Sequence, residues 1–210
     1  AGKPMIAYSI EAAQASRHIT RIVVSTDDAE IAEVSRQHGA EIPCLRPAEL
    51  AGDRVTDLPV FQHMLRHLAE TEGYRPDIVV QLRPTAPLRT AAHIDAAVDL
   101  FVQHQPDCVR TVTHATQHPH KMWKFDGQHL LPFMPHLTLA DEQFNQPRQA
   151  LPPAFIQNGS IDVIAPSAIL EKNSMSGTCI VGMLMNEMDS VNVDQEEDFL
   201  LAELLLSQRK

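Results

Sequence analysis

Cysteine is scarce in this 210-residue chain, with Cys44, Cys108 and Cys179 as its three copies. An odd number at wide spacing suits neither a disulfide framework nor a zinc knuckle, and a reducing cytoplasm is the expected compartment. No apolar run approaches the ~20 residues of a membrane span; Cys179 to Met185 and Leu204 to Leu206 are among the longest. Ala1 to Lys3 does not read as a signal peptide, and no membrane partner is expected. Positive charge is also in short supply: 17 Lys+Arg against 27 Asp+Glu give a net charge of −10. No cluster of basic residues supplies the counterion-releasing footprint of a non-specific nucleic-acid binder, so no nucleic-acid partner is expected. With eight glycines, the chain has no Gly-rich Walker loop. Gly-x-Ser-x-Gly and Cys-x-x-Cys are absent as well, which removes P-loop, serine-hydrolase and thioredoxin-type readings. What remains is ordinary globular composition, 44% apolar and 21% charged. At this length one domain spanning residues 1–210 buries roughly 70% of its unfolded surface without a disulfide or structural metal.

Short β-branched runs alternate with stretches of helical period. Residues 21–25, 77–82, 108–113 and 160–164 read as strands, with 190–193 a shorter one. Ile6, Ile10 and Ala13, then Leu58, Phe61, Leu65 and Leu68, then Ile94, Ala97 and Phe101 recur at steps of three and four, which predicts helices with one buried stripe. Asp28 and Thr90 are candidate N-caps, and Asp194 with Glu197 resembles a capping box for a last helix whose Leu200, Leu201, Leu204 and Leu205 are expected to pack on the sheet. The β-α-β-α order implies an α/β fold, a mostly parallel sheet with helices on both faces. Its ligands should sit at the carboxyl ends of the strands. The proline-rich stretch from about 118 to 153 breaks the pattern and reads as an arm leaving the sheet.

Polar motifs follow the strands where such a fold places a ligand. Asn192 and Asp194, two apart on an extended segment, share a face and could hold one hard cation through oxygen; the pattern alone leaves Asp194 equally open to a helix-cap role. Arg83 and Arg89 flank a Pro-stiffened loop, where guanidinium groups suit a carboxylate or phosphate. Surface ion pairs would look the same. His114, His118 and His120 cluster, but Pro119 intervenes and no Cys lies near, so a closed zinc site is disfavoured.

Ala1 to Ile6, Val23 to Asp28, Ala40-Glu41 with Arg46 to Leu50, Arg83 to Arg89, Gln146 to Gln149 and Asn158 to Ile161 follow one another in an order that closely resembles the acylneuraminate cytidylyltransferases, or CMP-sialic acid synthetases. The resemblance spans essentially the whole chain. It implies a Rossmann-like nucleotidyltransferase fold that activates an acidic nine-carbon 2-keto sugar with CTP, yielding the CMP-sugar and pyrophosphate. It further implies Mg²⁺ (or Mn²⁺) as cofactor and a cytoplasmic homodimer whose protruding arm completes the neighbour's site. On this reading Asp194 matches the second aspartate of the metal pair, with Asn192 at the first position. Arg46 and Asp57 match positions near the nucleotide. Arg83, Arg89, Lys121, Arg148 and Asn158 match positions around the sugar, with Arg148 reaching across the dimer.

Departures from the family pattern sharpen the expectation. Asn192 replaces an aspartate and should weaken Mg²⁺ binding. Arg83 stands for a glutamine, Asp162 for a tyrosine, Ile156 for a basic residue and Asp57 for a serine. These favour a legionaminic- or pseudaminic-type acid over N-acetylneuraminic acid. Family members open with a Gly/Arg/Lys-rich loop that wraps the CTP triphosphate, and this chain starts just after it. A lost central strand and reduced turnover are therefore expected. Two alternatives stay open: a nucleotidyltransferase for another sugar, such as an eight-carbon keto acid, and a non-catalytic homologue that binds nucleotide or sugar.

Overall fold

The computed structural model describes residues 2–209; Ala1, which begins the opening motif, lies outside them. Three helices form where the stripes predict. α1 (Met5–Gln14) buries Ala7, Ile10 and Ala13, α3 (Asp57–Glu72) buries Met64, Leu65 and Leu68, and α4 (Ala91–His104) buries Ile94, Ala97, Val98 and Phe101. Asp28 caps α2 (Ala29–Gln37), its carboxylate accepting from Ile31 N at 2.8 Å. Thr90 caps α4, its amide donating to His93 Nδ1 at 3.2 Å.

A four-stranded sheet runs in the order β1 (Val79–Leu82), β5 (Phe155–Ile164), β2 (Cys108–His114), β6 (Ile180–Leu184). β1, β2 and β6 share one direction, so the sheet is mostly parallel by strand direction, but β5 is wedged antiparallel between β1 and β2. Helices cover both faces. On one, Ile94, Ala97, Val98 and Phe101 of α4 pack on Val109, Ile161, Val163 and Met183. On the other, Leu65 of α3 meets Cys108, Ile164 and the Ala168–Ile169 pair of α5 (Pro166–Leu170). Burying each of these larger side chains contributes about 1.5–3 kcal/mol. It also pushes the Cys108 thiol up to about 12.

Several expectations need correction. Residues 21–25 form no continuous strand; Val23 makes a single parallel bridge to Glu41. Residues 190–193 are a loop, tied to the turn after β1 by Val193 N donating to Thr85 O at 2.7 Å. A strand emerges instead at β6, from a run read as merely apolar. The last helix, α6 (Glu196–Gln208), is capped by Gln195 with Asp198, not by Asp194 with Glu197: Asp198 Oδ2 accepts from the amides of both Asp194 and Gln195 at 3.1 Å. Of its leucines Leu205 is buried, whereas Leu200, Leu201 and Leu204 are exposed.

Residues 118–153 lie outside the four-stranded sheet. They carry a separate hairpin sheet, β3 (Trp123–Phe125) with β4 (Leu130–Pro132), and several short 3-10 turns. Trp123 lies against Phe144 with ring centroids 4.6 Å apart. At the root, His118 accepts the His120 amide at Nδ1 (3.2 Å) and so donates from Nε2 to Pro152 O at 2.8 Å.

Candidate functional site

The pairing of β2 with β5 slips between Arg110, opposite Asp162, and Val112, opposite Gln157. Residues 158–161 thus face Thr111 alone, in a bulge of several residues against one. Thr111 fills it: its hydroxyl donates to Asn158 Oδ1 at 2.7 Å and accepts from Ile161 N at 2.9 Å. At the apex Gly159 adopts φ +66°, a left-handed conformation that side chains beyond glycine resist. A Cβ there would lie 3.7 Å from Arg83 Cδ and 3.8 Å from Asn192 Oδ1. The bulge thereby brings the carboxyl end of β1 and the 192–194 loop to one point.

Four of the expected site residues gather around that point. Arg83 Nη2 pairs with Asp57 Oδ2 at 2.7 Å, and Gln81 Nε2 donates to the same oxygen at 2.9 Å. Asn192 Nδ2 donates to Asp194 Oδ2 at 2.7 Å. Asn192 Oδ1 is buried with no hydrogen-bond partner among the described residues, beside an exposed Asp194 carboxylate. With the cap role taken by Asp198, that carboxylate is left to the loop.

This donor set can be tested against a divalent cation. Mg²⁺ is held by one or two carboxylates together with waters and substrate phosphates, not by an all-protein cage. One carboxylate and one orphaned amide oxygen two residues apart fit that chemistry. No group of three or more His, Cys, Asp or Glu suited to a metal occurs among the described residues; His114 lies against Phe155 and His118 against His120, each with ring centroids 4.9 Å apart.

Other expected residues face inward or lie apart. Arg89 is 4% exposed; it donates to Ser160 O and Ser9 Oγ, both at 2.6 Å, and to Arg83 O. Burial pushes its guanidinium down to about 9, still charged at neutral pH. Its donors pin the Arg83 loop from beneath. Asn158 is also buried, its amide donating to Ser190 Oγ at 2.9 Å. Arg46 is held on the 21–25 segment, donating to Ser25 Oγ at 3.2 Å and to Ser25 O. Lys121 and Arg148 sit exposed in the arm, bonded to Phe144 O (3.1 Å) and Ala115 O (2.6 Å). A concavity of about 440 Å³ is lined by His114, Leu184, Met185, Asn186, Glu187 and Met188. None of the expected site residues lines it. Thr111, Gly159 and Gln81 were missed by sequence reasoning; the Asn-Gly pair at 158–159 was the available signal for an irregular backbone.

Residues 1–130 match the family model described as cytidylyltransferase. The chain belongs to the cytidylyltransferase family. This cytidylyltransferase is 31% identical over 206 residues to post-translational flagellin modification protein B of Campylobacter coli, covering 98% of the chain and 85% of that protein. It is 32% identical to CMP-N,N'-diacetyllegionaminic acid synthase of Campylobacter jejuni, over 97% of the chain and 84% of the relative. With the N-acylneuraminate cytidylyltransferase of Escherichia coli it shares 27% identity over 99% of the chain, spanning 47% of that longer protein. Among solved structures, CMP:2-keto-3-deoxy-manno-octonic acid synthetase complexed with CTP superposes with a TM-score of 0.66 at 12% identity, over 100% of this chain and 90% of that one. That likeness shows a shared fold.

Proposed function

We propose that this cytidylyltransferase couples CTP to an acidic nine-carbon 2-keto sugar of the legionaminic or pseudaminic type. The anomeric oxygen would form a bond to the α-phosphorus as the bond to the β-phosphate oxygen breaks, giving the CMP-sugar and pyrophosphate. The observation that carries this reading is the convergence of Arg83, Asn192 and Asp194 on the Gly159 bulge, at the carboxyl end of β1. Relatives named for legionaminic acid at 32% and 31% identity support the sugar class, as does a pseudaminic acid cytidylyltransferase at 36% identity over half of the chain.

Asp194 and Asn192 would hold Mg²⁺ or Mn²⁺, which when bound neutralises phosphate charge. The remaining work is positioning. Arg83 offers its guanidinium to a substrate oxyanion, Arg89 fixes the loop that carries it, and Asn158 with Thr111 holds the bulge open between them. Arg46 would meet the nucleotide and Lys121 the sugar, while Arg148 of the arm would reach the sugar of a neighbouring copy in a cytoplasmic homodimer. Pyrophosphate release is the test, run with CTP, Mg²⁺ and a panel of nonulosonic acids on the chain and on the chain preceded by a Gly/Arg/Lys-rich family loop. Release with CTP and one of these acids supports the reading. Release with an eight-carbon acid alone, or with none, overturns it.

A further inference from the structure

Arg83, Asp57 and Gln81 form a relay at the start of α3, where Asp57 also suits the helix N-terminus. Gln81 is buried on β1 and donates to Asp57 Oδ2, while Arg83 two residues later donates to the same oxygen. The carboxylate is thus fixed from the sheet below and the guanidinium beside it. An ion pair as exposed as this one, with side chains 42% and 46% accessible, adds little to stability. It does restrict where a long side chain can point.

Two backbone ties restrict it further. Arg89 donates to the carbonyl of Arg83, and Val193 N bonds to Thr85 O, so the loop bearing Arg83 is joined to the loop bearing Asn192. One guanidinium nitrogen, Nη2, meets Asp57. A guanidinium has five donors in a planar fork, which leaves an edge suited to a two-oxygen anion.

We propose that Asp57 and Gln81 are positioning residues that aim Arg83 at a substrate oxyanion, either the carboxylate of the acidic sugar or a phosphate of CTP. This rests on the cytidylyltransferase reading above, and it moves Asp57 from contact with the nucleotide to action through Arg83. Pairing with Asp57 holds the fork in place before the substrate arrives. Less side-chain freedom is then lost on binding.

Calorimetric titration with CTP, with N,N'-diacetyllegionaminic acid and with its 1-carboxamide tests this, alongside KM, kcat and melting temperature. Arg83→Gln should weaken one of the two anionic ligands by about 10-fold or more, the scale of a charge-assisted hydrogen bond. Asp57→Asn and Gln81→Met should weaken the same ligand by roughly 3- to 10-fold, raising its KM with kcat little changed. Asp57→Glu should restore most of the loss. The double variant Arg83→Gln/Asp57→Asn should bind no worse than Arg83→Gln alone, because Asp57 acts through Arg83. If the sugar carboxylate is the target, the carboxamide binds Arg83→Gln and wild type alike; if a CTP phosphate is the target, the CTP arm carries the loss.

Unchanged affinities in Asp57→Asn with a lowered melting temperature would overturn the proposal, leaving Asp57 a helix-end residue. Absence of binding by the wild type to either anion would overturn it too. Absence of turnover alone, with binding lost in the variants, would instead sink the cytidylyltransferase reading and keep the relay.

Discussion

Arg110 and Asp162 face each other across β2 and β5, joined by Nε–Oδ1 at 3.0 Å and Nη2–Oδ2 at 3.1 Å. The Asp162 side chain is 7% exposed and that of Arg110 24%, so the two partners pay unequal penalties when separated. Arg110→Met leaves a carboxylate buried without its partner, and should lower stability by about 3–4 kcal/mol. Asp162→Val leaves a guanidinium that can still reach water, and should cost about 1–2 kcal/mol. The double variant removes both charges and places two strand-compatible apolar side chains on the face already occupied by Cys108 and Ile164. It should fall within about 1 kcal/mol of wild type. The coupling between the sites is therefore about 3–7 kcal/mol. Urea denaturation of the four proteins, followed by far-ultraviolet circular dichroism at pH 7.5, measures it. A double variant as unstable as the sum of the singles would refute the reasoning, because the pair would then be filling space and not balancing charge.

Other perturbations follow from single features. Gly159→Ala has room for its methyl group but must hold φ +66°, so chemical denaturation should show a loss of about 1–2 kcal/mol. Asp194→Ala removes an exposed carboxylate and should shift stability by less than about 0.5 kcal/mol, while pyrophosphate release falls at least ~100-fold. Asp107 is held well below the usual carboxylate range, first by Lys172 and then by the amides of Thr178 and Cys179. Its stabilisation is complete above the unfolded value of about 4 and is lost as pH falls from there through the depressed folded value. Asp107→Asn should accordingly lower the melting temperature at pH 7 and flatten its decline below pH 4, as a thermal scan across pH would show.

Much of this architecture could be read before any coordinates, because its determinants are local. The stripes of α1, α3 and α4 and the Asp28 cap depend on neighbours three or four residues away. The reversed direction of β5 could not be read, since an antiparallel strand buried on both faces has the same composition as a parallel one. β6 was passed over because Ile180 to Leu184 is a short apolar run with no alternation to mark it. Of the candidate site, the Asn192–Asp194 pair and Arg83 were visible as motifs. Arg89 was indistinguishable from Arg83 in sequence, and what separates them is tertiary: one lies beneath the loop, the other at its surface. Capping by Asp198 and not Asp194 turned on a shift of one residue at the helix start, well within the usual uncertainty of such boundaries.

The wedge of β5 between β1 and β2 also sets an order of assembly. Both neighbours precede it in the chain, and among the described residues they share no ladder of their own. During synthesis β1 and β2 emerge, the whole arm follows, and only then does residue 155 supply the strand that joins them. Closing so long a loop delays the pairing, since contacts distant in sequence form slowly. Until β5 arrives, two apolar strand edges stand open to other chains. A ribosome stalled within the arm would therefore hold a nascent chain with β1 and β2 made and the strand that joins them still to come.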